Sequence, residues 1–174
     1  FSFIQYADTV REFVAFNGAS FSSPTFSGVI NNQDLHSLEQ ADYLIVTNAL
    51  FLSQANRLAE LHRNNGMTVH VVTNEQVYNE FSSGMPDACA IRMFSKMFYD
   101  RGELNPSTRP KYLLFFGDGS YDPKNRLSNN TNFVLTHQVE SSENHVTAIV
   151  TDDFFGMLDD SESISSTDQL DIGI

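Results

Sequence analysis

Tryptophan is absent from these 174 residues, and cysteine occurs once, as Cys89. A lone cysteine excludes an internal disulfide and leaves the redox compartment open. No apolar run approaches the roughly 18 residues that a membrane-spanning helix needs. The opening FSFIQYADTV has neither the basic stretch nor the small-residue cleavage site of a secretion signal. The most informative absence is positive charge, because no Lys or Arg follows Arg126. Up to Arg126, 13 acids face 10 bases, a net of −3; the last 48 residues hold nine acids and no base, a net of −9, which together give −12. A field of that sign repels nucleic acid, whose recognition needs clustered Lys and Arg. It suits a divalent cation, a basic ligand or a basic neighbouring surface, with a solvated acidic face as the plain alternative.

What is present reads as one globular unit. Hydrophobic residues make up 41% of the chain, enough for a real core, and the length suits one domain better than two. Residues 1–33 alternate apolar and small polar positions. VREFVAFN reads as a strand and FSSPTFSG as a Pro/Gly-punctuated connector, the end of a preceding β-rich region. Residues 34–174 then form the main subdomain. There, DYLIVTN is a continuous apolar run, as a strand covered on both faces should be. FLSQANRLAELHRNNG follows with Phe51, Ala55, Leu58, Leu61 and His62 at helical spacing and Gly66 placed as a C-terminal cap. MTVHVVT is a second strand, and Asn74 is the expected N-cap of EQVYNEF. Pro86 and Asp87 fit the first turn of a helix ending at Gly102, and KYLLFFG is a third strand. NFVLTHQ, AIVTDDFFG and DQLDIGI are further strand candidates. Strands alternating with helices imply βαβ units. The expected fold is therefore an α/β three-layer sandwich with a mainly parallel sheet, caspase- or flavodoxin-like. A strand ending at Ile174 suggests a piece of a larger protein.

Chemistry is concentrated in two places. The loop Gly117-Asp118-Gly119-Ser120 leaves the carboxyl end of a strand, where open α/β sheets bind ligands. It completes no phosphate or hydrolase motif: no third glycine opens a helix, no Gly-Lys-Ser/Thr follows, and Ser120 is not centred between glycines. Asp118 remains as a carboxylate at a strand end. The histidines, His36, His62, His70, His137 and His145, form no close pair with each other or with Cys89, which argues against zinc. Cys89, beside Ala88 and Ala90 in a helix, is expected in the core and not as a nucleophile. The acidic segment offers Asp152, Asp153, Asp159, Asp160, Glu162, Asp168 and Asp171, oxygen ligands of the kind calcium takes, though not in EF-hand spacing. If Asp118 ends one strand and Asp171 lines another, both could face the loop around Asp160. A non-catalytic acidic binding module and a flavodoxin- or Rossmann-like nucleotide binder remain alternative readings.

Read in order, ADYLIVTN, LFLSQANRLAELHRNNGMTVHVVT, VYNEFSSGMPDACAIRMFSKMFYD, PKYLLFFGDGSYDP and VTDDFFGMLDD…LDIGI resemble the gingipain family of cysteine peptidases. The resemblance runs from about Asn31 to Ile174 and is closest to sortases of type IX secretion, which process the C-terminal sorting signals of secreted proteins. It implies a caspase-like sandwich of two side-by-side subdomains, of which this chain is similar to the first. The family's catalytic His, in a Gly-His-Gly segment, and its Cys lie in the second. The resemblance therefore implies no catalytic role for any residue here, and a C-terminal peptidase subdomain of the same parent chain as partner. It also implies peptide or protein substrates and a location on the extracellular face of the bacterial outer membrane. Calcium, by position, would fall on Asp118, on Asp159 or Asp160, and on Asp171.

Overall fold

A computed structural model describes residues 2, 4–6, 8–19, 21–139, 149–162 and 169–174. His145 and Asp168, raised above as ligand candidates, lie outside them. The chain divides into two compact units, Phe1–Asn32 and Gln33–Ile174. The first has no helix or strand among its described residues, so the strand expected at VREFVAFN does not form. Apolar side chains supply a face, but a strand is defined by a regular hydrogen-bond ladder with a neighbouring strand. Asp8 and Arg11 form an exposed ion pair at 2.8 Å, and Phe16 and Phe21 lie 5.7 Å apart.

The second unit is an α/β fold. Strand β1 (Tyr43–Thr47) leads through a 3₁₀ turn into helix α1 (Leu52–Asn64), then to β2 (Val69–Thr73), α2 (Asn74–Phe81), α3 (Ala88–Arg101) and β3 (Tyr112–Phe116). The sheet order is β2-β1-β3, all parallel, with Tyr43 level with both Val69 and Tyr112. Alternation along β1 sorts the core into two layers. Leu44 and Val46 pack with Phe94 and Phe98 of α3 on one face, and Ile45 packs with Ala55 and Ala59 of α1 on the other. The helices therefore cover opposite faces, as right-handed crossovers to either side of β1 require. Two short pieces, β4 (His137–Gln138) and β5 (Val150–Thr151), form a separate antiparallel pair. DQLDIGI contributes a single parallel bridge, Gly173 to Tyr112, beside β3.

Helix ends follow the local chemistry, with two shifts from expectation. Gly66, at φ +88°, ends α1 as expected, its N–H bonding to the Arg63 carbonyl at 2.9 Å. The N-cap of α2 is Thr73, not Asn74: the Thr73 hydroxyl accepts from the Gln76 N–H, and the Gln76 side chain accepts from the Thr73 N–H, a reciprocal capping box. Asn74 is thereby freed to donate to the Phe133 carbonyl at 2.9 Å. Asp87 caps α3 through the Cys89 N–H, so Pro86 lies before the helix and not in its first turn. Gly156 matters for another reason. A Cβ there would come within 2.9 Å of the Ile174 side chain and 3.2 Å of the Ile172 carbonyl, so only glycine lets the last segment lie this close.

At the amino end of the sheet, Asp42 clamps all three strands. Its carboxylate accepts from the Thr68 N–H (2.9 Å), the Thr68 hydroxyl (2.8 Å) and Lys111 Nζ (2.6 Å), and its carbonyl accepts from the Lys111 and Tyr112 N–H groups. Lys111 first, with Thr68, holds the Asp42 carboxyl down at about 2. A carboxyl depressed in the fold stabilises above its unfolded value, near 4, and that stability is lost as pH falls towards 2. Asp42→Asn is expected to cost about 1–2 kcal/mol at pH 7, with the difference from wild type shrinking between pH 4 and 2 in denaturant titrations. A pH-independent difference is the contrary result.

Candidate cation site and the strand-end loop

The Gly117-Asp118-Gly119 loop is built as a clasp. Asp118 is the neck of a loop over residues 118–134: its carbonyl accepts from the Phe133 and Val134 N–H groups at 2.8 and 3.1 Å, and its carboxylate accepts from the Thr131 hydroxyl at 2.6 Å. Val134 then packs so close to Gly117 that a Cβ there would meet its Cγ2 at 2.9 Å. Asn48 after β1 and Asn74 after β2 both donate to the Phe133 carbonyl, while the Thr47 hydroxyl donates to the Phe116 carbonyl. The chain's own loop packs over the carboxyl ends of the strands and leaves a cavity of about 300 Å³ lined by Phe115, Gly117, Asp118, Val134, Thr136 and Asp152. No helix starts at this loop, so no helix N-terminus is there to receive a phosphate.

Asp118 and Asp171 do not meet. The parallel bridge of Gly173 to Tyr112 puts Asp171 at the amino end of β3, whereas Asp118 follows its carboxyl end. The length of β3 alone, at about 3.3 Å per residue, keeps them roughly 15 Å or more apart. Asp160 is also diverted: its carboxylate pairs with Lys96 at 3.0 Å and otherwise faces solvent. Sequence spacing could not separate these cases, because it carries no information on strand direction.

At the amino end, the structure gathers Asp159, Glu162 and Asp171, with one carboxylate oxygen of each within 4.8 Å of the others. The Asp171 carboxylate accepts from the Leu158 N–H at 2.7 Å and from the Tyr99 hydroxyl at 2.8 Å; the same hydroxyl lies 3.1 Å from Asp159 Oδ1. Glu162 accepts from the Asp159 N–H at 3.1 Å. Among the described residues no Lys or Arg pairs with these three carboxylates. Lys96 turns to Asp100, Asp160 and the Leu158 carbonyl, and Arg92 to the carbonyls of Met157 and Asp159. Burial, then the Asp171 and Asp159 charges, push the Glu162 carboxyl up, partly offset by the Asp159 N–H. Burial and the same two carboxylates push the Tyr99 phenol up as well. An all-oxygen donor set with uncompensated negative charge fits a hard divalent cation. Glu162 was visible in the sequence only as one more acid; its i,i+3 spacing from Asp159 across a tight turn is the signal that singles it out.

The remaining candidates hold little chemistry. Cys89 is exposed, not buried as expected, because its position in the first turn of α3 looks outward. Partial burial of the sulfur and the Asp87 carboxylate push its thiol up, away from a thiolate. His62 packs edge-on to Tyr43, His70 bonds to the Glu39 carbonyl, and His137 stacks on Phe154. His36 meets Asp34 and Glu80, but Glu80 is already engaged by the Leu35 N–H and the Gln33 amide.

Comparison with known proteins places the unit. The model of peptidase family C25 matches residues 36–174. The crystal structure of dimeric latent PorU from Porphyromonas gingivalis is similar at 45% identity and a TM-score of 0.65, over 77% of this chain and 13% of that one. This chain thus spans a small part of that protein's length. No match was found among curated proteins.

Because a carboxyl raised in the fold stabilises when protonated and costs stability once pH exceeds its folded value, Glu162 is unfavourable at neutral pH without a cation. In chelating buffer at pH 7, Glu162→Gln is expected to raise the melting temperature by about 1–3 °C in calorimetry. A fall shows that the three carboxylates do not repel.

Proposed function

Since this chain belongs to peptidase family C25, we propose that it is the first, non-catalytic subdomain of a gingipain-like cysteine peptidase or transpeptidase that processes C-terminal sorting signals of secreted proteins. The match over residues 36–174, together with 45% identity to PorU, carries this reading. The parent works at the extracellular face of the bacterial outer membrane, on peptide or protein substrates. Its Cys and His, on a second subdomain, perform the chemistry: the thiolate attacks the scissile carbonyl, and the imidazole carries the proton to the leaving amine. This chain contributes a rigid wall and a calcium site on Asp159, Glu162 and Asp171. Calcium supplies charge neutralisation there.

Incubating the chain with sorting-signal peptides and calcium is expected to give no turnover above buffer by mass spectrometry. Cleavage lost in Cys89→Ala places the nucleophile in this chain and overturns the assignment. Calcium is expected to raise the melting temperature, increasingly with concentration, as a ligand that binds only the folded state must.

A further inference from the structure

We propose that the groove at the amino end of β3 is a docking site for a single carboxylate with an apolar neighbour, the chemistry of an acidic peptide, and that the Arg109 guanidinium receives it. The groove has a volume of about 610 Å³, within the range of small-ligand sites. It needs neither a cation nor the peptidase chemistry. Arg109 carries a charge that no described group answers. Its Nε is buried and has no hydrogen-bond partner. Among the described residues no carboxylate pairs with this guanidinium, and no oxygen accepts from its terminal nitrogens.

Arg109 is nevertheless held in place, by its face and its stem. The guanidinium lies 3.8 Å from the centre of the Tyr99 ring. A Cβ on Gly102 would come within 2.5 Å of Arg109 Cγ, so glycine at the end of α3 lets the stem lie there. The turn that carries Arg109 is fixed as well: the Gln40 amide donates to the Thr108 carbonyl at 2.9 Å, and the Thr108 hydroxyl donates to the Asn105 carbonyl at 2.8 Å. Stacking uses the face of a guanidinium, whereas its N–H groups lie in the plane, where they match a planar carboxylate two at a time. A cation ordered in advance leaves little ordering cost for binding.

The surroundings select the kind of anion. Asp171 lines the same groove, its carboxylate engaged by the Leu158 N–H and the Tyr99 hydroxyl, with Asp159 and Glu162 beside it. Repulsion from these acids grows with the charge on the ligand, so one carboxylate is favoured over a phosphate. Pro106, Pro110, Leu170 and Ile172 supply apolar wall for a neighbouring side chain. Lys111, bonded to Asp42 at 2.6 Å, also lines the groove and has further hydrogens to donate.

The test titrates the full 174-residue chain and follows the Arg109 Nε–H by proton–nitrogen NMR, a signal that burial protects from exchange. N-acetyl-leucine offers a terminal carboxylate and acetyl-leucyl-glutamic acid α-amide a side-chain one; N-acetyl-leucinamide and inorganic phosphate are the controls. The tighter of the two carboxylates is expected to move the signal with a dissociation constant on the order of 1 mM, and it names the source. The neutral amide and phosphate are expected to bind at least about 10-fold more weakly, and so is the carboxylate to Arg109→Gln. Arg126→Gln makes the same change of charge at an exposed position beyond β3 and is expected to keep wild-type affinity. An equal response to the amide shows an apolar groove only, tighter phosphate shows another class of ligand, and equal weakening by Arg126→Gln shows diffuse charge. Each overturns the proposal, as does a wild-type signal that no probe moves. Should Arg109→Gln not fold, the wild-type comparison of acid with amide still decides.

Discussion

Strand β1 is the element on which the rest of the structure depends. Among the described residues it alone has a strand on each edge, and its side chains pack alternately against α3 on one face and α1 on the other. Because both neighbours run parallel and in step from Tyr43, the three strands start level at Asp42 and finish level at Thr47. A slip of one residue would turn Leu44 and Val46 away from the phenylalanines of α3 and bring Ile45 towards them. Asp42 fixes the starting line with both its backbone and its carboxylate. At the finishing line Asn48 and Asn74 converge on one carbonyl, that of Phe133.

The surplus of acid in the second half is only partly a solvated face. Helix α3 presents Arg92, Lys96 and Tyr99 at helical spacing, and each reaches the segment from Met157 to Asp171. Two cations and a phenol therefore dock an acidic strap onto a helix whose opposite face is apolar. Backbone carbonyls, Asp100 and Asp160 take the cations, and among the described residues no Lys or Arg pairs with the carboxylates of Asp159, Glu162 and Asp171.

The parts legible in the sequence were those where a local pattern and its partner coincide. The apolar runs at 43–47, 69–73 and 112–116 became strands because each found a neighbour, and the spacing of Ala55, Leu58 and His62 became α1. VREFVAFN is as rich in strand-forming residues, yet no strand is formed there among the described residues. Thr73 displaced Asn74 as a cap because Gln76 completes a reciprocal pair that a reading of single residues misses. The alanine neighbours of Cys89 suggest a core position, yet a first helical turn has an outer side, and Cys89 lies on it. Charge alone does not say which acids cluster: the direction of β3 separates Asp118 from Asp171, Lys96 draws Asp160 away, and the i,i+3 spacing across a turn brings Glu162 to Asp159. Tyr99 lies far from the acids in sequence, and no spacing rule connects them.

The polarity of the sheet keeps two regions apart. Asp171, held by Tyr99 of α3, lies at the amino end of β3, and the loop beyond Asp118 lies at its carboxyl end. A change in the acidic segment therefore reaches that loop only through the whole length of the strand.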